Sequence, residues 1–235
     1  SPRYGLIAPP AGYAEYYLHS TLWEPDPDKK LEFLEKSEKA GIEALKEAEN
    51  SGMPQIVITV FHVLSKTLEA RAYMELDTRE KRSYLERALK YREKTVEVHD
   101  QLFPFDYWDR GVMQNYLAEI KWLLAEIEPN CDNKRRLLEE AVLSQEKCVE
   151  LCSKMMPYYE RMGDASMFAA LRIYQDSYVT ILTRLYDLTN SPEQLRKAIE
   201  VSQKAIESAS KLDMISRIAE SHWKIAKALD TLGEH

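Results

Sequence analysis

Apolar and small residues recur along the chain on a helical period, and one arrangement of them occurs four times. Within residues 191–207, Leu195 is followed by two small residues, Ala198 and Ala205, seven positions apart. Ile199 and Ile206 extend the apolar stripe, and Glu, Lys and Gln cover the remaining positions. This is an amphipathic helix with a narrow waist, where small side chains let a neighbouring backbone approach. The same frame is present at Leu138, Ala141 and Cys148, at Leu85, Ala88 and Thr95, and at Leu34, Ser37 and Ala44. The first small residues, Ser37, Ala88, Ala141 and Ala198, are therefore 51, 53 and 57 positions apart. A pattern returning at near-constant spacing predicts an array of similar helical units, each covering the apolar face of its neighbour.

Punctuation along the chain predicts about nine helices. Residues 1–10 hold three prolines and a glycine and read as an extended lead-in, with the first helix from about Ala11 to Trp23. Asp26 followed by Pro27 caps a second helix to about Asn50, where Ser51-Gly52-Met53-Pro54 forces a turn. A third runs from about Gln55 to Leu76. Thr78 is the expected cap of a fourth, from about Arg79 to Leu102. The aromatic stretch from Phe103 to Gly111 interrupts the helical period and reads as an anchored inter-repeat loop, plugging the space between hairpins in preference to forming a ligand pocket.

Helix five then reaches about Ile127, and Pro129-Asn130-Cys131-Asp132 ends it and caps helix six. Pro157 should bend or break helix six, and Gly163 should end it in a left-handed conformation. Helix seven spans about Ala165 to Leu188. Ser191, Pro192 and Gln194 form a capping-box start for helix eight, and Asp213 is the expected cap of helix nine, which ends at Leu232 before Gly233. The intervening helices echo one another at their ends, in Tyr73-x-x-Leu76, Leu124-x-x-Ile127, Leu185-x-x-Leu188 and Leu229-x-x-Leu232. Two kinds of helix therefore alternate, here termed A and B, and short connections make successive helices antiparallel. The expected organisation is residues 1–10 as lead-in and residues 11–235 as one domain of about four long repeats.

The C-terminal repeat carries a family resemblance. Ala219-Glu220-Ser221-His222-Trp223-Lys224-Ile225-Ala226-Lys227-Ala228-Leu229, with Leu232-Gly233-Glu234 after it, resembles the first helix of a tetratricopeptide (TPR) repeat. Ala198-Ile199-Glu200 with Lys204-Ala205-Ile206-Glu207 is similar to the second helix. The intervals of 51 to 57 depart from the standard repeat of ~34 residues, so the helices are lengthened. The resemblance implies an all-α, right-handed α-solenoid of antiparallel hairpins, a TPR-like superhelix that binds a protein or peptide on a concave face of A helices. It implies no catalytic residues and no cofactor. Carried over residue by residue, the partner-facing positions are Glu220, Trp223, Lys227 and Asp230 in the last repeat and Asp176, Val179, Thr183 and Tyr186 one repeat earlier. Asn115, Ala118 and Trp122 follow in the repeat before.

Composition narrows the function further. Charged residues make up 30% and apolar ones 45%, with 7 glycines, as in long helices with solvated outer faces. The formal charge of −7 lacks the basic excess of a nucleic-acid footprint. The three cysteines have neither disulfide-framework nor zinc spacing, so a reducing cytoplasm is expected. No apolar run reaches the ~18 residues of a membrane span, and no basic-then-apolar leader precedes the first helix. The opening on Ser1 rather than methionine fits a piece of a longer protein.

His19, His62, His99, His222 and His235 have no metal-site spacing, and no phosphate loop or nucleophile elbow is present, so an enzyme is not expected. Cys148 and Cys152 share a helix face but occupy packing positions, and paired acids such as Glu139-Glu140 are ordinary solvated helix surface. The alternatives are a small-ligand-binding or enzymatic all-α domain, and an oligomerisation scaffold self-associating through terminal hairpins. At the C-terminus, Arg217, Glu220, Lys224 and Lys227 would supply a polar capping face if no further helix follows. The repeat frame itself is open to test: Ala198→Leu should cost about 1–3 kcal/mol through overpacking, read as a lowered Tm, and an unchanged Tm would refute the alignment.

Overall fold

The computed structural model describes residues 9–212 and 214–233, which form nine α-helices and no strand. The chain clusters into two compact units, Ser1–Pro104 and Phe105–His235. The first holds α1 (Pro9–Ser20), α2 (Pro27–Ser51), α3 (Pro54–Met74) and α4 (Thr78–Leu102). Each of these packs on the next, and α1 also lies against α3. The second holds α5 (Tyr107–Ile127), α6 (Cys131–Met162), α7 (Ser166–Thr189), α8 (Pro192–Ser210) and α9 (Ile215–Leu232), again packed in sequence. Within each unit this is a helical-repeat fold.

The recurring frame selects the core. All twelve of its residues, from Leu34, Ser37 and Ala44 to Leu195, Ala198 and Ala205, are buried, none more than 4% exposed. The polar members are satisfied where they sit. Ser37 Oγ donates to the Ala14 carbonyl or shares a proton with Thr67 Oγ1, both at 2.8 Å, joining α1, α2 and α3. Thr95 Oγ1 donates back to the Tyr91 carbonyl at 2.8 Å. In the second unit α5 and α6 meet at Gly111, where an added Cβ would fall 2.5 Å from Cys152 Sγ and 3.1 Å from the Cys148 carbonyl oxygen. Burial, and then the neighbouring Cys152, push the Cys148 thiol up, so it is a packing group.

Helix ends follow local chemistry, with several departures from the sequence-based expectation. Asp26 caps α2 as expected, accepting from the Asp28 amide at 2.9 Å, with Pro27 in the first turn. Asp77 rather than Thr78 caps α4, because its carboxylate accepts from both the Arg79 and Glu80 amides, at 2.8 and 3.0 Å. Thr78 becomes the first helical residue. Pro9 and Pro10 open α1 instead of belonging to a lead-in, since proline is tolerated where amides have no partner; residues 1–8 lie outside the described residues. The α3 helix ends at Met74, leaving Leu76 beyond it and exposed.

The aromatic stretch is largely helical as well. Asp106 accepts from the Asp109 amide at 3.1 Å and starts α5 at Tyr107, so only Phe103–Asp106 separates α4 from α5. Trp108 then packs inside the second unit, edge-on to Tyr159 at 5.4 Å and tilted against Tyr174 at 6.2 Å. The α6 helix runs through Pro157 without a break, while Asn130 caps its start and Gly163, at φ 69°, ends it as expected. Ser191 sits at the N-cap of α8 with extended backbone, but its hydroxyl makes no capping bond; Pro192 sets the start. Asp213 and His235 lie outside the described residues, and α9 begins after Met214, which offers no side-chain cap.

One buried polar group makes the first unit sensitive to acid. Arg92, fully buried, donates to His62 Nδ1 at 2.8 Å and lies 3.7 Å from Glu69, which Lys66 contacts at 2.8 Å. Accepting that bond fixes His62 as the neutral tautomer protonated on Nε2. Burial foremost, and then the Arg92 and Lys66 charges, push the His62 imidazole down to about 3. The unfolded chain, titrating near ~6.5, binds the proton the folded state refuses, so stability falls as pH drops from ~6.5 towards 3. From pH 7 to pH 5 this group should account for a loss of about 2 kcal/mol, which His62→Gln should abolish in pH-dependent urea melts.

Candidate functional site

The C-terminal three helices leave a cleft of about 380 Å³. Its walls are the C-terminal halves of α7 and α9, and its floor is α8, through Leu195, Ala198, Ile199 and Ser202. Helical period explains the walls: Val179, Thr183 and Tyr186 on α7, and Trp223 and Lys227 on α9, each recur at three or four residues and so share a face. These are five of the eleven positions expected to meet a partner. Trp223 is 63% exposed at the rim, with Lys227 Nζ 5.4 Å from its ring centre.

Asp176 and Glu220 stand at the opposite end of the same helices, in a ladder of alternating charge. Buried Arg172 pairs with Asp176, Lys224 reaches Asp176 at 3.3 Å and Glu220 at 3.1 Å, and Arg217 meets Glu220 at 2.9 Å. Hydrogen bonds from Arg217 and then Lys224 hold the Glu220 carboxyl below its usual range. The ladder clasps α7 to α9 over their N-terminal parts, and the cleft opens beyond it. Arg217 and Lys227 are exposed and Glu220 and Lys224 half-buried, so the polar α9 face is not packed beneath other helices.

The other expected positions lie elsewhere. Asp230 is exposed on α9 and does not line the cleft. Asn115 and Trp122 are on α5: Asn115 Oδ1 accepts from Gln145 Nε2 at 3.0 Å, an internal contact, and Trp122 Nε1 donates to Glu126 at 3.2 Å along its own helix. The buried Ala118 belongs to the core.

Sequence reasoning missed Thr180, Arg184 and Asp187 on α7, Lys224 and Thr231 on α9, and the α8 floor. The A-helix pattern assigns partner contact to A helices alone, whereas α8 lines the cleft between them. Ala198 and Ser202, small residues one turn apart, are the signal that marked the floor. Among the described residues the lining offers one carboxylate, Asp187, and no histidine or cysteine. It therefore presents hydroxyls, three cations and apolar area, the makings of a recognition surface.

No protein-family model matches the sequence, and no curated protein matches it either. Among solved structures the chain is similar to a protein from the computational design of self-assembling cyclic homooligomers, at 14% identity and TM-score 0.48, covering 95% of this chain and 93% of that one. It is similar to a de novo designed helical repeat protein at 18% identity and TM-score 0.44, covering 91% and 94%. It also resembles the nuclear import adaptor Nro1 of S. pombe, at 14% identity and TM-score 0.31, covering 94% and 80%.

The ladder makes a local prediction. Asp176→Asn leaves Arg172 buried beside a neutral group and removes the anchor of Lys224, at a cost on the order of 1–3 kcal/mol. Hydrogen exchange should show α9 losing protection while the α5–α6 pair keeps it; equal loss in both would refute the clasp.

Proposed function

We propose that this helical-repeat protein is a non-enzymatic, TPR-like interaction scaffold of the cytoplasm that holds a partner peptide or protein in the α7–α8–α9 cleft. The observation that carries the proposal is the exposed Trp223 at the rim, beside Lys227, over a cleft floored by small and apolar side chains. Interface energy concentrates in a few Trp, Tyr and Arg anchors, and Trp223, Tyr186 and Arg184 all border this one depression. Lys224, Lys227 and Arg184 against Asp187 favour a segment of mixed charge with an acidic excess. The three cysteines are free thiols, as a reducing compartment allows. Among the described residues no helix is long and apolar enough to cross a membrane.

Affinity capture with the intact chain and with Trp223→Ala, followed by calorimetry on each protein retained only by the parent, tests the proposal. Trp223→Ala should weaken such a complex by about 2 kcal/mol or more while leaving helical content unchanged. Undiminished affinity, or a bound segment mapped to another face, would overturn it, as would a concentration-dependent mass showing that the face of Trp223 is occupied by a second copy of the chain.

A further inference from the structure

The N-terminal part of α7 floors a second depression, a groove of about 770 Å³ between α6 and α8. Its ends are closed by two cross-helix ion pairs, Lys197 with Glu146 at 3.4 Å and Lys211 with Glu160. Fourteen helical residues separate the pairs on either wall, so the groove is about 21 Å long. Its rim holds four lysines and four glutamates and is electrically balanced. Below the rim it is apolar, with Val149 on one wall, Val201 on the other, and Phe168 and Leu171 in the floor.

One floor residue does not fit an apolar groove. Gln175 is 2% exposed, and its Oε1 is buried without a hydrogen-bond donor. The contrast with Gln145, one helix away, is informative: that amide donates to both the Asn115 side chain at 3.0 Å and the Tyr174 carbonyl at 2.8 Å. A buried amide normally finds such partners, and leaving one unmet is costly. On the α6 wall, Pro157 has no N–H to return to the carbonyl of Ser153, four residues earlier and also lining the groove. The groove thus holds an amide whose two ends exchange by rotation about its broad terminal torsion, and on its α6 wall a carbonyl that Pro157 cannot serve.

We propose that this groove binds a short, extended, uncharged peptide segment whose backbone amide is read by the side-chain amide of Gln175. A main-chain amide carries one donor and one acceptor, the complement of what Gln175 offers. A length of about 21 Å accommodates about six extended residues at ~3.3 Å each. The balanced rim gives no advantage to a charged segment, and the ion pairs at both ends set its limits. The groove shares no lining residue with the cleft containing Trp223, so either can fail alone.

The test uses the whole chain and an array of acetylated, amidated hexapeptides built from Gly, Ala, Val, Leu, Phe and Ser. Members that bind are resynthesised with single backbone N-methyl groups, and affinities are measured by fluorescence anisotropy. Gln175→Met, which keeps the shape and removes the unmet polar group, should weaken binding at least tenfold while leaving Tm unchanged or higher. One N-methyl position should weaken binding to the parent tenfold and add little in Gln175→Met. Trp223→Ala should change nothing. Ser153→Trp, at an exposed wall position, should block the groove and decides the matter if Gln175→Met fails to fold. The proposal is overturned if no hexapeptide binds, if binding is indifferent to both substitutions, or if only charged peptides added as controls bind. It is equally overturned if mass measurements show a dimer that Ser153→Trp dissolves.

Discussion

Close approach of helices at small residues is the constraint on which both units depend. B helices of 19 to 32 residues cannot be held by a few contacts at their tips, so each needs a waist where a neighbour can lie along it. The buried pairs Ser37 and Ala44, Ala88 and Thr95, Ala141 and Cys148, and Ala198 and Ala205 provide it. Leucines three residues before each pair fill the space that opens on either side. At Gly111 the same demand comes from the facing A helix, where even one extra carbon would collide with Cys152. What varies between repeats is the polar member at the waist, and each buried hydroxyl is admitted because a carbonyl or a second hydroxyl lies within reach.

This constraint is also why most of the fold was legible in the sequence. A waist needs small residues at fixed helical spacing, and no other element produces that spacing over and over. Helix starts at Asp26 and Asn130 and the stop at Gly163 were readable because each depends on one residue and its own backbone. The misreadings came from competition or from tertiary context. At Asp77-Thr78 two capable caps are adjacent, and the carboxylate takes the role. The aromatic run at 103–111 resembles an anchored loop until Trp108 is seen packing on α6 and α7, an arrangement invisible to local pattern. Pro157 costs α6 one hydrogen bond, too little to end a helix held along its length by α5 and α7.

The candidate site divides along the same line. Helical period placed Val179, Thr183, Tyr186, Trp223 and Lys227 on walls that do face one cleft. The floor, and the use of Asp176 and Glu220 as a clasp, depend on how closely α7 and α9 approach at each end. Asn115 shows the limit of carrying a pattern across repeats, since the register position that Glu220 gives to an ion-pair ladder on α9 is held on α5 by an internal hydrogen bond from Gln145 of α6. Helix α7 is the pivot of the second unit: its C-terminal half lines the cleft, its N-terminal half floors the groove through Phe168, Leu171 and Gln175, and buried Arg172 with half-buried Asp176 carries the ladder to α9.

The tight crossing at Gly111 has a chemical consequence as well as a mechanical one. With α5 backbone pressed onto Cys152 and Cys148 fully enclosed, neither sulfur has room to accept an oxygen atom or an alkyl group without prising two helices apart. Cys131, exposed at the first residue of α6, has no such wall around it. Thiol-directed reagents therefore meet a protein with three cysteines as though it had one, and a dye or spin label attached there reports from the start of the longest helix while the core stays unmodified.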